Sequence, residues 1–264
     1  MLTIDTHCHA SPSWFEPIEV LLFQMNRNAV DKAALIQHRG QYDNRYLLEC
    51  AARFPGRFAV VANVDTSRPD APDTLVRWAA EGVVGVRLAP MERSPGNDPL
   101  AIWRKASELG LVVSSLGAHE EYANNEFKNL VQELSDLTII IEHLGYVGSG
   151  GQPPYASYRK ILSLSQYPNT YMKVPGLGEI MARPMPAREP TFDLSKVPPF
   201  IDMAFEAFGA NRLMIGTDYP PSAAREGYAN VVSHLREYLS RRSVAEQEAI
   251  FGKTAALLFK LGSS

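Results

Sequence analysis

Eight short runs of apolar and β-branched residues recur along the chain, and each is followed by a stretch with helical periodicity. This alternation predicts parallel strands joined by helical crossovers. Eight such units in 264 residues favour closure into a (β/α)8 barrel, which has about this size. The predicted strands are Leu2–His9, Lys32–His38, Phe58–Asp65, Val83–Ala89, Leu111–Gly117, Thr138–Gly145, Thr170–Leu177 and Leu213–Pro220.

The segments between the strands support the same fold. An open doubly wound sheet is the structural alternative, but it would need a Gly-rich turn after the first strand, and residues 9–14 do not supply one. We therefore expect one α/β domain over residues 1–264, a TIM barrel with a C-terminal helical extension. Its predicted helices include Asn44–Phe54, Asp73–Ala80, Pro99–Leu109, Asn124–Leu134 and Pro198–Phe208, and the extension is a pair of helices within Val244–Leu261. Two Gly/Pro-rich segments, Gly148–Pro154 and Gly176–Pro198, are predicted to form loops over the barrel mouth.

Composition excludes several classes of function. The net charge is −3 and the charges are scattered, which argues against nucleic-acid and anionic-membrane binding. No apolar run approaches the roughly 20 residues that span a bilayer, and the N-terminus lacks the pattern of a secretory signal. The 2 cysteines indicate no disulfide framework. We expect a cytoplasmic enzyme that acts on a small molecule, and a homo-oligomer remains open.

The pentapeptide Asp5-Thr6-His7-Cys8-His9 ends the first predicted strand. Residues i and i+2 of a strand point to the same side, so His7 and His9 present their imidazoles together. Two converging imidazoles can serve as metal ligands, a proton relay or an electrophilic site. The motif gains weight only if matching residues end other strands.

Such residues do occur at other strand ends, which is where the chemistry of a (β/α)8 barrel takes place. Arg87 ends the fourth strand, His143 the sixth and Asp218 the eighth. Each has a structural alternative: a salt bridge with Glu142 or Asp5 for Arg87, a backbone cap for His143 and a turn for Asp218. Glu142 alternates with His143 and is therefore expected to face the helices.

The motifs in this order resemble the amidohydrolase superfamily, and more closely its amidohydrolase family 2 branch, which contains lactonases. The resemblance covers nearly the whole chain and rests on His7-x-His9, Glu142-His143-Leu144-Gly145 and Gly216-Thr217-Asp218-Tyr219-Pro220. It implies hydrolysis of a lactone, with Asp218 as general base toward water. His7, His9 and His143 would polarise the carbonyl.

The sequence also departs from the binuclear members of that superfamily. Those members resemble one another in a carboxylated lysine or glutamate on strand four and a histidine on strand five. This chain has Arg87 on strand four and Val112-Val113-Ser114-Ser115-Leu116-Gly117 on strand five. A bridged two-metal site is therefore not expected. The remaining set of His7, His9, His143 and Asp218 is that of one divalent metal, most naturally Zn²⁺, or of a metal-independent enzyme.

Arginines near the mouth bear on the substrate. The planar fork of Arg87 suits a carboxylate, and the resemblance to pyrone-dicarboxylate lactonases implies that Arg87 and Arg93 bind an anionic substrate. Lys173 is expected to form a salt bridge rather than a Schiff base. Further candidates for the pocket lining are Trp14, His38, Tyr146, Tyr155 and Arg183.

Three functions therefore remain open. The first is hydrolysis of a carboxylated lactone. The second is decarboxylation of an aromatic or enol acid by a mononuclear metal enzyme, which the resemblance implies for a related branch with a similar ligand set. The third is a barrel that binds a ligand without catalysis. Asp218→Asn and an assay for bound metal separate these possibilities.

Overall fold

Eight parallel strands form the centre of the molecule in a computed structural model that describes residues 1–148, 152–186 and 190–262. Neighbours in sequence are neighbours in the sheet, in the order β1 to β8. Backbone hydrogen bonds from Asp218 N to His7 O and from His9 N to Tyr219 O, each 2.8 Å, join the last strand segment to the first. The strands are β1 (Ile4–Cys8), β2 (Lys32–Ile36), β3 (Phe58–Ala62), β4 (Gly85–Leu88), β5 (Val112–Ser115), β6 (Ile139–Ile141), β7 (Thr170–Val174) and β8 (Leu213–Ile215). The predicted barrel is confirmed.

Helices follow the strands and surround the barrel. Apolar side chains that point outward from the strands pack against the buried faces of these helices. The helices are α1 (Ile18–Arg27), α2 (Arg45–Arg53), α3 (Ala71–Ala80), α4 (Ala101–Glu108), α5 (His119–Tyr122), α6 (Asn125–Glu133), α7 (His143–Tyr146), α8 (Ala156–Leu162), α9 (Phe200–Phe208), α10 (Tyr228–Leu239), α11 (Val244–Glu248) and α12 (Thr254–Leu258). The predicted helices correspond to α2, α3, α4, α6 and α9, with ends that differ by one or two residues.

The C-terminal extension closes the bottom of the barrel. Inward-facing residues of several strands, such as Ala34, Val61 and Met214, form one buried cluster with Phe259 and Leu261. The predicted pair of helices is one bent segment, in which a π-helical stretch over Ala249–Lys253 joins α11 to α12. A Cβ atom at Gly252 would lie 2.4 Å from Leu2 O, so the extension reaches β1 only because this residue is glycine. With the bottom filled, the open end is at the carboxyl ends of the strands.

The strands end earlier than the sequence predicted, and this matters most at β6. That strand stops at Ile141, and His143 begins α7, a single turn whose four residues all have positive φ, between 49° and 67°. Asp218 also has a left-handed backbone, with φ of 54°, and lies three residues beyond β8. Both side chains are thus placed by strained turns rather than by strand alternation.

The two predicted mouth loops are described in part, because residues 149–151 and 187–189 lie outside the described residues. What is described includes short 3₁₀ turns at Leu177–Glu179 and Leu194–Lys196 in the second loop. Within the described ranges, none of the helices combines the length and apolar character needed to cross a bilayer.

Candidate active site

The structure brings His7, His9, His143 and Asp218 together at the open end of the barrel. The ring centroids of His7 and His9 are 4.9 Å apart, and those of His7 and His143 are 4.3 Å apart. Asp218 Oδ1 lies 3.4 Å from His9 Nε2 and 3.8 Å from His7 Nε2. The Asp218 side chain keeps 17% of its surface exposed, so a molecule in the mouth can reach it.

The seam between β1 and β8 sets this geometry. The pairing register of β1 shifts between Asp5 and Cys8, and the buried carboxylate of Asp5 accepts hydrogen bonds from Thr217 N (2.9 Å) and Thr217 Oγ1 (2.6 Å). A Cβ atom at Gly216 would approach His7 Cβ to 2.8 Å, so glycine is needed there for close contact. These contacts hold the turn that carries Asp218 beside the imidazoles of β1.

Two buried cations face the ring of His7. Lys173 Nζ lies 3.1 Å from His7 Nδ1 and 2.7 Å from Ser114 Oγ. Arg87 Nη2 lies 3.5 Å from His7 Nε2, which is also 3.8 Å from Asp218 Oδ1. Burial lowers the pKa of Lys173 to about 8. Burial first, and then the charge of Lys173, lower the pKa of His7 well below its usual value, so the ring is neutral.

Glu142 lies inside the barrel, and the expectation that it faces the helices is wrong. The residue is fully buried, and its carboxylate accepts hydrogen bonds from Arg87 Nε at 3.1 Å, Arg87 Nη2 at 2.7 Å and Ser114 Oγ at 2.6 Å. Lys173 Nζ is 3.9 Å away. Because β6 ends before Glu142, strand alternation no longer determines its direction. Arg87 thus forms a bidentate ion pair with Glu142, and Lys173 forms the predicted salt bridge with the same carboxylate.

The charge on Glu142 makes stability depend on pH in the acid range. Burial opposes the charge, but Arg87 and Lys173 outweigh it and lower the pKa of Glu142 to about 2, from a usual 4.5. A lowered carboxyl pKa stabilises the fold above the unfolded value, and the contribution is lost as the pH falls toward the folded value. We expect the stability advantage of the native protein over Glu142→Gln to be about 2 kcal/mol smaller at pH 3 than at pH 6. Urea unfolding of both proteins at the two pH values measures this, and an unchanged difference would contradict the ionised state of Glu142.

A second ionic network holds His143, and the sequence reasoning missed two of its members. Glu179 Oε1 lies 3.1 Å from His143 Nδ1 and 3.2 Å from Arg225 Nη2, which also donates to Asp218 Oδ2 at 2.9 Å. Burial opposes the charge on His143, but Glu179 and then Asp218 raise its pKa above the usual value. Glu179 and Arg225 lie in the irregular loops after β7 and β8 and have no pattern that marks them. Loop position at the carboxyl end of the barrel was the one available signal.

Within the predicted set of metal ligands, His7 and His9 differ in what faces their second ring nitrogen. Two groups of potential ligand atoms lie within 4.8 Å of one another among the described residues: His7 with His9 and Asp218, and His7 with Glu142 and His143. A histidine that binds metal through one nitrogen normally donates the proton of the other to an acceptor. His9 meets this condition, since its Nδ1 is 2.7 Å from Ile36 O. His7, which belongs to both groups, faces the ammonium of Lys173 instead.

The remaining predicted site residues divide into two sets. Tyr146 is near the cluster: its hydroxyl is 3.3 Å from Glu142 Oε2, and its ring centroid is 5.2 Å from that of His143. Trp14 and His38, with ring centroids 5.4 Å apart, lie by the cavity beside His9.

The other set is directed elsewhere. Arg93 donates to the carbonyls of Pro90 and Glu92, and Arg183 to that of Ala224. Tyr155 packs on Phe200 and lines a separate cavity with His119.

Comparison with known proteins agrees with this fold. An L-fucono-1,5-lactonase from Burkholderia ambifaria is 29% identical over 216 residues, which are 74% of this chain and 67% of the relative. A crystal structure from Pseudomonas putida, provisionally assigned as a 2-pyrone-4,6-dicarboxylic acid hydrolase, superposes with a TM-score of 0.79 at 23% identity and covers 100% of both chains. A zinc-bound amidohydrolase from Burkholderia multivorans gives 0.80 at 22% identity, over 99% of this chain and 100% of that one. At these identities the two structures show the shared fold alone.

Family membership rests on a match that spans nearly the whole sequence. The family model described as amidohydrolase matches residues 4–261. This range contains all eight strands and every residue of the clustered site. The predicted relationship and the prediction of an enzyme are confirmed: the chain belongs to the amidohydrolase family of hydrolases.

Proposed function

We propose that this hydrolase opens a lactone by adding water to the ring carbonyl. The observation that carries the proposal is the convergence of one ionised carboxylate, Asp218, with three imidazoles at the barrel mouth. The similarity to an L-fucono-1,5-lactonase supports a cyclic ester as substrate. Ester hydrolysis needs a base for water and donors for the developing oxyanion, and the site offers both.

The attacking water is assigned to the exposed edge of Asp218, beside His9. His9 Nδ1 lies 2.7 Å from Ile36 O, and His9 Nε2 lies 3.4 Å from Asp218 Oδ1. A water molecule at this edge would donate a hydrogen bond to the carboxylate of Asp218. Asp218 then takes a proton as the water attacks.

The low pKa of Asp218 limits which lactones it could help to hydrolyse. Burial opposes its charge, but His9, His143 and Arg225 outweigh burial and lower its pKa well below the usual value. A carboxylate of such low basicity is a weak base toward water, and its protonated form is a strong acid that readily returns the proton to the leaving oxygen. The proposal therefore requires an activated lactone, such as one whose leaving group is an enolate.

The oxyanion donors are His7 and His143. Lys173 Nζ lies 3.1 Å from His7 Nδ1, and Glu179 Oε1 lies 3.1 Å from His143 Nδ1, so we assign the Nε2 atom of each ring to the carbonyl oxygen. The raised pKa of His143 favours a second proton on its Nε2. The carbonyl oxygen would then receive one neutral and one cationic donor, which becomes more favourable as negative charge develops.

We expect this activity to need no added metal, because Lys173 occupies the side of His7 from which a ligand histidine would donate. The test is a panel that includes L-fucono-1,5-lactone and 2-pyrone-4,6-dicarboxylate, assayed before and after dialysis against a chelator. The expected result is ring opening of at least one lactone, with kcat/KM changed less than about twofold, well under 1 kcal/mol, by chelation. Elemental analysis of the dialysed protein is the control.

Two outcomes would contradict this proposal. Loss of activity in chelator with recovery on Zn²⁺ addition would overturn the metal-free mechanism. Release of carbon dioxide from an aromatic acid, without ring opening of any lactone, would favour the decarboxylase instead. If neither reaction occurs, the ligand-binding alternative gains support.

A further inference from the structure

We propose that Arg39 is the residue that binds an anionic substituent of the substrate, in the cavity beside His9. This inference rests on the proposed lactone opening and adds the position of the recognition site. It replaces Arg87 and Arg93, which the sequence favoured. Arg39 follows β2 in the segment Gln37-His38-Arg39-Gly40.

The other arginines near the mouth already have partners. Arg87 binds both oxygens of Glu142, and its side chain is 8% exposed. Arg225 bridges Asp218 and Glu179. Arg93 donates to two backbone carbonyls and lies 3.9 Å from Glu126. A substrate anion would have to displace a carboxylate or a carbonyl to reach any of these groups.

Arg39 differs because its guanidinium has no such partner. It is exposed, and across the parts of the chain that the structure describes it has no side-chain hydrogen bond and no carboxylate within ion-pair distance. It lines two cavities at the mouth. One, of about 260 Å³, is bordered by His9, Trp14 and His38. The other, of about 150 Å³, is bordered by Arg87.

The position of the first cavity links it to the reacting groups. His9 forms part of its wall, and His9 Nε2 is the atom that faces Asp218. A substituent held by Arg39 in this cavity would therefore belong to a ring whose carbonyl lies at His9 and Asp218. The fork of a guanidinium matches a carboxylate with two parallel hydrogen bonds, which fixes orientation as well as charge.

Aromatic rings line part of this cavity. Phe15 stacks on His9 with ring centroids 5.0 Å apart and an interplanar angle of 17°, and it meets His38 edge-on at 5.2 Å. Trp14 lies beside His38, with ring centroids 5.4 Å apart. These rings give the cavity an apolar wall next to the charge of Arg39, which suits a ring that carries a carboxylate.

The test compares Arg39→Met, which keeps much of the side-chain length and removes the charge, with Arg39→Lys and Arg68→Met. Arg68 is exposed, is paired with Asp70 and follows the neighbouring strand β3, so its variant controls for a lost surface charge at the same end of the barrel. With 2-pyrone-4,6-dicarboxylate, we expect Arg39→Met to raise KM at least about tenfold with kcat within about threefold. Arg39→Lys should recover part of the loss, and Arg68→Met should resemble the native protein.

A binding measurement separates failure of this inference from failure of the proposed function. Isophthalate is a flat dicarboxylate with no ester to open, and calorimetry reports its binding without any reaction. We expect Arg39→Met to weaken isophthalate binding at least about tenfold, and added salt to weaken binding to the native protein. If the native enzyme opens lactones but Arg39→Met binds and reacts like it, the inference is wrong and lactone opening stands. A loss on Arg93→Met with none on Arg39→Met would also overturn it. If no lactone is opened, the binding result alone decides the role of Arg39.

Discussion

Asp218→Asn is expected to reduce kcat/KM for lactone opening by about 10²- to 10⁴-fold, the usual contribution of a general base. Asparagine has almost the same size, and its amide oxygen can still accept the hydrogen bond from Arg225. It cannot take a proton from water. The substitution therefore removes the chemical role of residue 218 while keeping its packing, and the loss should appear mainly in kcat.

The control for this experiment is Asp70→Asn. Asp70 is exposed and paired with Arg68, so its variant changes the net charge by the same amount away from the clustered imidazoles. Thermal unfolding of both variants checks that the fold is retained. If Asp218→Asn keeps kcat/KM within about tenfold, which corresponds to about 1.4 kcal/mol of transition-state stabilisation, the assignment of the base is wrong.

Glu142→Gln is expected to destabilise the protein by about 3–5 kcal/mol at pH 7, the usual cost of removing one partner from a buried ion pair. The side chains of Glu142 and Lys173 are both fully buried, and that of Arg87 is 8% exposed. Without the carboxylate, Arg87 and Lys173 would share the barrel interior without their nearest counterion. Glutamine keeps the size of the side chain, so the loss measures charge rather than packing.

A surface pair supplies the matched comparison. Glu133 is paired with Arg104 at 2.8 Å, with the two side chains 49% and 42% exposed. Because exposed pairs contribute little, Glu133→Gln should change the free energy of unfolding by less than about 1 kcal/mol. Urea unfolding at pH 7 measures both variants. Equal, small effects of the two substitutions would mean that Glu142 is not the counterion of Arg87 and Lys173.

The spacing of the strand runs was enough to predict the barrel. Parallel strands alternate with helices at intervals that local sequence patterns record, and the β-rich runs around Phe58–Ala62 and Ile139–Ile141 are clear examples. His7 and His9 were also predictable, because two residues on one strand share a side by geometry. His143 and Asp218 followed from the rule that barrel chemistry lies at strand ends.

Side-chain partners were predictable only in part. Arg87 offered Glu142, Asp5 or a substrate as partners, and only the packed barrel shows that Glu142 takes it. The partner of His143, Glu179, lies on another loop and has no sequence signal. Glu142 was predicted to face the helices, but it points into the barrel. The reason is that β6 ends at Ile141, one residue before Glu142, and a left-handed turn begins at His143.

The sequence by itself thus determined the architecture and the four residues that gather at its open end. The periodicity of apolar residues and the order of the strands can be read from the sequence. In a barrel they are enough to place the end of each strand. Only the tertiary structure decided the charged partners of His7 and His143, the pairing of Arg87 and the freedom of Arg39. These depend on which charges from distant segments come within about 4 Å, a distance at which Coulomb energies inside a protein reach several kcal/mol.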